Sequence, residues 1–186
     1  QNGTPLDSEI LSPVPDFPEA IFENISVSLN GTPISDHGRG HHFKSYINKN
    51  LCIDKATKAS SLLAHYWSDD LNESNLKIDG ANLSKGFKDR ATLIEKSRDV
   101  FFIFSPVVDI LNTERYIPPR TQLKIDLERG SNNLCLLSPN PDFNLKIQML
   151  EISMQVCRFT PSNKIYLENE KRFLAGGSYI IPFTRN

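Results

Sequence analysis

The stretch Phe143–Phe159, FNLKIQMLEISMQVCRF, decides how the second half of this chain is read. Phe143, Leu145, Ile147 and Met149 keep one parity, whereas Leu150, Ile152, Met154 and Val156 keep the other. Successive side chains of a strand point to opposite faces, so one strand cannot change parity without turning its apolar face into water. The pattern therefore predicts either a β-bulge near Met149–Leu150 or two strands that break there, with Pro161 ending the run.

Working outward, the neighbouring segments carry the same β character. Val100–Phe104 is a continuous apolar run, as expected of a strand buried on both faces. Pro118-Pro119 forces an extended approach to Thr121–Glu128, where Leu123, Ile125 and Leu127 alternate with polar residues. Asn133–Leu137 reads as a further short strand, residues 164–174 as charged and helix-compatible, and Tyr179–Phe183, after Gly176-Gly177, as the last strand.

In the first half, residues 1–20 hold Pro5, Pro13, Pro15 and Pro18 and form an irregular lead-in. Ile21–Leu29 alternates as a strand and closes in Asn30-Gly31, a turn pair that tolerates positive φ. Phe43, Tyr46, Ile47 and Leu51 recur at helical spacing, and Asp54 is placed to cap a second helical stretch, Lys55–Trp67, with Ala59, Leu62, Leu63 and Tyr66 as its apolar stripe. Residues 68–90 are polar, with Asp79-Gly80 and Lys85-Gly86 as turn signals, and read as a long surface loop. There is no βαβ alternation and no repeat at a fixed period. The fold class expected is mainly β: an antiparallel jelly-roll β-sandwich over residues 21–186, with a helical insertion at about 43–67.

Composition bounds the function. Of 186 residues, 39% are apolar and 23% charged, which is enough for a packed core. Lys+Arg number 21 against 22 Asp+Glu, for a net charge of −1, without the basic excess of a dedicated nucleic-acid binder. Arg115, Arg120, Arg129 and Arg158 are spread singly and form no basic stripe. No apolar run approaches the roughly 18–20 residues of a membrane span. The start at Gln1 and the end just after an apolar run are expected of a processed chain or a piece of a longer one. Cys52, Cys135 and Cys157 are too few and too scattered for a disulfide framework or a zinc site, and are expected as buried or idle thiols in a reducing compartment. Asn-x-Ser/Thr sequons at Asn2, Asn24, Asn30, Asn72 and Asn82 are expected by chance in so Asn-rich a chain.

The candidate chemistry is thin. His37, His41, His42 and His65, with Asp36, Asp69 and Asp70, are residue types that bind metals, but adjacent His41-His42 point apart in either a strand or a helix, and no HExxH helix is present. Asp36-His37-Gly38-Arg39-Gly40 lacks the spacing of a phosphate-cradling loop. Ser60-Ser61 with His65 is not a nucleophile arrangement, and Asp69-Asp70 reads as a helix end or loop rather than an acid–base pair. No catalytic, cofactor-binding or metal-binding residue is assigned. Tyr66 and Trp67 read as a core or interface anchor rather than a base-stacking platform.

Several stretches together resemble the major capsid proteins of Polinton/Maverick elements and adintoviruses. They are PVPDFPEAIFENISVSLNG (13–31), HHFKSYINKNLCIDKATKASSLLAHYWSDD (41–70), IPPRTQLKIDLER (117–129) and DFNLKIQMLEISMQVCRFTPS (142–162), with GGSYIIPFTR (176–185) more loosely. The strand with its LNG turn, followed by the helical segment ending in Trp67, is the most specific part. The resemblance implies a hexon-like double jelly-roll, of which this chain would be most of the first roll, lacking the N-terminal strands and the second roll. It also implies a non-enzymatic shell subunit of an icosahedral virus-like capsid, made in the cytoplasm and located in the virion. Its partners would be copies of itself in a homotrimeric capsomer and other capsid subunits, with no cofactor, no specific nucleic acid and no membrane span. The alternatives are a minor single jelly-roll penton protein of the same capsids, or a carbohydrate-binding β-sandwich module. A cupin-like metalloenzyme using the histidines is a further rival, disfavoured because His37, His41 and His42 fall in one expected loop.

Overall fold

A computed structural model describes residues 11–35, 38–68, 83–138 and 146–183. Its centre is β2 (Phe22–Leu29), preceded by a short β1 (Ser12–Pro13) and a single-turn α1 (Phe17–Ala20). β2 turns back into β3 (Thr32–Ser35) through Asn30 and Gly31, at φ 50° and 79°. Leu29 pairs with Thr32, so this is the two-residue hairpin expected of an Asn-Gly pair. The turn is also tied to a distant part of the chain: the Asn30 N–H donates to the Gln122 carbonyl at 2.9 Å, and the Gln122 N–H returns to Asn30 Oδ1 at 2.9 Å.

α2 (His41–Cys52) and α3 (Lys55–Lys58) come next, with Asp54 accepting from the Thr57 N–H as the cap. A 3₁₀ segment, Ser61–His65, ends at Tyr66. α4 spans Lys85–Ile94 and packs against β1. β4 (Leu123–Arg129), which starts directly after Gln122, lies antiparallel to β2, with Ile25 opposite Leu127, Val27 opposite Ile125 and Leu29 opposite Leu123. α5 (Asn132–Cys135), β5 (Leu136–Leu137) and α6 (Asn163–Leu174), with short 3₁₀ turns at Gly38–Gly40, Glu95–Ser97 and Asp109–Leu111, complete the described elements. The sheets are small: one of two strands, β1-β5, and one of three, β3-β2-β4.

The core sits on one face of β2. Ile25 and Val27 are buried at one parity, and a register shift between Phe22 and Asn24 lets Phe22 join them on that face. Phe17, Ile21, Tyr66, Val108, Ile110 and Cys135 complete the buried cluster. Phe102 meets Phe17 edge-on at 5.9 Å between ring centroids, and Phe104 stacks on Phe22 at 5.9 Å.

The mainly-β jelly-roll expected from the alternating segments is not what forms. Helix takes about 40% and strand about 15% of the described residues. The strands of Ile21–Leu29 and Thr121–Glu128 form close to where their alternation places them. Val100–Phe104 keeps an alternation, with Val100, Phe102 and Phe104 packed on the core and Phe101 and Ile103 outward, but it pairs with no strand among the described residues. Residues 146–159 and Tyr179–Phe183 likewise carry no strand pairing there, and residues 143–145 lie outside the described set. Asn133–Leu137 splits, because Ser131 Oγ accepts from the Asn133 N–H and starts a helical turn before Leu136–Leu137 pairs with Ser12–Pro13. The physical reason is general: alternation makes a segment fit for a sheet, but a ladder also needs an adjacent strand in register.

Two boundaries also move. The lead-in to residue 20 contributes Leu11, Phe17, Asp16 and Glu19 to the interior. The end of the expected 68–90 loop is helical, since Ser84 Oγ accepts from the Phe87 N–H at 2.9 Å and the helix buries Phe87 and Arg90 at a spacing of three. Among the described residues, no helix is long and apolar enough to cross a membrane.

Candidate functional site

The buried acidic groups that the structure describes gather in one place, between α1 and α2. His41, Ser45 and Lys49 recur every four residues and therefore share one stripe of α2, which is buried. Facing them are Asp16, held at φ 62° at the start of α1, and Glu19 within it. An Asp tolerates this left-handed conformation better than most side chains. It turns the carboxylate toward α2, where Ser45 Oγ donates to Oδ2 at 2.8 Å and Lys49 Nζ to Oδ1 at 2.5 Å. His41 Nε2 meets Glu19 Oε2 at 2.6 Å.

Lys49 is the hub. An ammonium has three protons and no acceptor capacity. Within reach of Nζ are Asp16 Oδ1, Glu19 Oε1 at 3.5 Å and His65 Nδ1 at 3.1 Å. His65 Nδ1 also lies 3.5 Å from Asp16 Oδ1. The Asp16, Glu19, His41 and Lys49 side chains are at most 4% exposed and that of His65 14%. These charges are spent on one another inside the protein, so the arrangement is a clamp between two helices. Such a clamp fixes register more surely than it adds net stability, because desolvation offsets much of the attraction.

The outer stripe of α2 is apolar. Phe43, Ile47 and Leu51, which recur at helical spacing, are exposed, Leu51 by 80%. Tyr46 stacks on Trp67 at 5.7 Å between ring centroids, and Phe43 lies against the ring of its neighbour His42 at 4.1 Å. Trp67 is buried, with the Lys58 ammonium 5.4 Å from its ring centre. Tyr66 is buried against Phe17 and Phe102. Tyr66 and Trp67 are thus buried within the described chain, whereas Phe43, Ile47 and Leu51 face outward.

Of the histidines weighed in the sequence, His41 and His65 enter the clamp. His42 lies beside Phe43, its basicity lowered by burial against the opposing pull of Glu23. Asp36, His37, Asp69 and Asp70 lie outside the described residues. Among the described residues, no group of three or more His, Cys, Asp or Glu is placed to hold a metal ion. Ser60 Oγ donates to the Ala56 carbonyl at 2.9 Å, as a helix-end hydroxyl does. Arg129 is used locally, donating to Asn132 Oδ1 and to the Ile147 carbonyl, both at 2.6 Å. Sequence reading missed Asp16, Glu19, Ser45 and Lys49. The four-residue spacing of His41, Ser45 and Lys49 was a usable signal, but the same spacing in Phe43, Ile47 and Leu51 competed with it.

A second exposed apolar surface lies in residues 148–159. Ile147 packs on the core and its carbonyl is held by Arg129, while Phe159 stacks on Tyr116 at 5.1 Å. Between these two points Leu150, Ile152, Met154 and Val156 are each more than half exposed. No protein-family model, curated protein or solved structure matches the chain.

Proposed function

We propose that this chain is a structural subunit that assembles with copies of itself, in a shell of the capsid kind that its sequence resembles. The observation that carries the reading is exposed apolar surface on two described segments. Phe43, Ile47 and Leu51 line the outer side of α2, and Leu150, Ile152, Met154 and Val156 are each more than half exposed. Runs of exposed apolar side chains of this kind mark interaction surfaces. The capsid resemblance supplies the kind of assembly; the jelly-roll wall is no part of the proposal.

Size-exclusion chromatography with light scattering, followed by electron microscopy of the eluted species, tests it. Discrete oligomers or regular closed particles are expected. A monomer at every concentration, or amorphous aggregate alone, would overturn the reading.

A further inference from the structure

α6 ends in a cap built on Gly176-Gly177. Gly176, at φ 79°, donates its N–H to the Phe173 carbonyl at 3.0 Å, and the Gly177 N–H donates to the Arg172 carbonyl at 2.9 Å. A Cβ on Gly177 would fall 2.6 Å from Arg172 Cγ and 2.8 Å from its carbonyl oxygen, so glycine is what lets the chain turn back this closely over the arginine stem. The returning segment brings Ser178, Tyr179, Ile180 and Pro182 into one wall with Arg172. Together with Arg115, from a distant part of the sequence, they line a surface cavity of about 410 Å³. Small-molecule sites commonly span roughly 300–1,000 Å³. Both sides of the cavity are tied to other parts of the chain. Tyr116, next to Arg115, stacks on Phe159 at 5.1 Å between ring centroids, and Ile181, between Ile180 and Pro182, packs on the core.

The lining is chemically one-sided. It holds two guanidinium groups and no carboxylate. Among the described residues, neither the Arg115 nor the Arg172 guanidinium has a carboxylate or a hydrogen-bond acceptor. Arg39, Arg90 and Arg129, by contrast, are engaged with Glu23, Pro13 and Asn132. A guanidinium presents paired N–H donors whose geometry matches phosphate oxygens. Two of them, with the Ser178 hydroxyl, balance a dianion, whereas a single carboxylate would leave one positive charge unmatched. A phosphate monoester carries a charge of roughly −1.5 to −2 near neutral pH. The Tyr179 ring, Ile180 and Pro182 add an apolar part to the same wall. We propose that this cavity binds a small phosphate monoester bearing an apolar or aromatic group, with the phosphate on Arg115 and Arg172. Binding needs no second copy, so it is separate from self-assembly.

Titration calorimetry of the full chain with phenyl phosphate, at neutral pH and low salt, tests it. Saturable binding is expected, with benzoate, a singly charged anion with the same ring, clearly weaker. Arg115→Gln and Arg172→Gln should each weaken phenyl phosphate by about tenfold or more, as loss of a hydrogen bond to a charged group does. Both side chains are exposed, so far-ultraviolet circular dichroism and thermal unfolding of these variants should match the parent. Arg98→Gln, which removes an exposed arginine outside the cavity, should leave binding unchanged. No saturable binding, an equal loss in Arg98→Gln, or benzoate binding as tightly as phenyl phosphate would overturn the proposal. A phosphotyrosine peptide binding more than about tenfold tighter than phenyl phosphate would also overturn it, by making the ligand a modified protein.

Discussion

His41 and Phe43, two positions apart on α2, occupy opposite environments: the histidine is fully buried against Glu19, and the phenylalanine is 59% exposed. The helix is turned with its polar stripe inward because Asp16 and Glu19 wait there. A buried carboxylate needs charged or hydrogen-bonding partners, whereas an exposed phenylalanine costs far less than an unpaired buried charge.

Lys49→Met should therefore be strongly destabilising. It leaves Asp16 and Glu19 buried without their ammonium, and removal of one member of a buried ionic set costs about 3–5 kcal/mol. Urea unfolding followed by circular dichroism measures this; a loss below about 1 kcal/mol would mean the clamp is not closed as described.

The outer stripe should behave in the opposite way. Ile47→Ser and Leu51→Ser are expected to change the stability of the dilute chain by no more than about 0.5 kcal/mol, since neither side chain is buried. The same substitutions should lower the average mass in light scattering if this stripe joins the assembly contacts.

Thiol reactivity should divide the cysteines. Cys135 is buried and its Sγ lies 3.1 Å from the Ala20 carbonyl, and burial pushes its pKa up to about 11 despite nearby Arg129. Cys52 and Cys157 are exposed. At pH 8 an alkylating reagent should modify Cys52 and Cys157 in the native protein and reach Cys135 only after unfolding, as read by mass spectrometry. A raised folded pKa sets the sign for stability. The buried thiol's contribution is intact below pH 9.0, the ordinary value, and is lost as the pH climbs through about 11.

Gly31→Ala isolates the hairpin. An added methyl would touch nothing within 4 Å, so the cost comes only from the backbone at φ +79°. About 1 kcal/mol is expected, with Gly31→Asn recovering most of it because Asn accepts the left-handed region. Thermal and urea unfolding of the two variants measure the difference.

Arg90→Lys should cost about 2 kcal/mol even though the charge is kept. Arg90 is 1% exposed, and its planar fork donates from Nε to the Pro13 carbonyl at 2.7 Å and from Nη1 to the Ser68 carbonyl at 3.1 Å. One ammonium cannot reproduce that geometry. Unfolding midpoints equal to the parent chain would show that the fork holds nothing.

What the amino-acid order determined by itself was local. The alternation in Ile21–Leu29 and Thr121–Glu128, the Asn30-Gly31 turn, the Asp54 cap, the helical spacing after His41 and the helix over 164–174 all depend on neighbours within a few residues, and all of them form. Only the tertiary structure decided which stripe of α2 goes inside, because His41, Ser45 and Lys49 are as periodic as Phe43, Ile47 and Leu51, and the choice falls to Asp16 and Glu19, about thirty residues away in the chain. It also decided that Val100–Phe104 and residues 146–159 join no described ladder. A strand's period is written in its own side chains, but its hydrogen bonds belong to whatever backbone lies beside it.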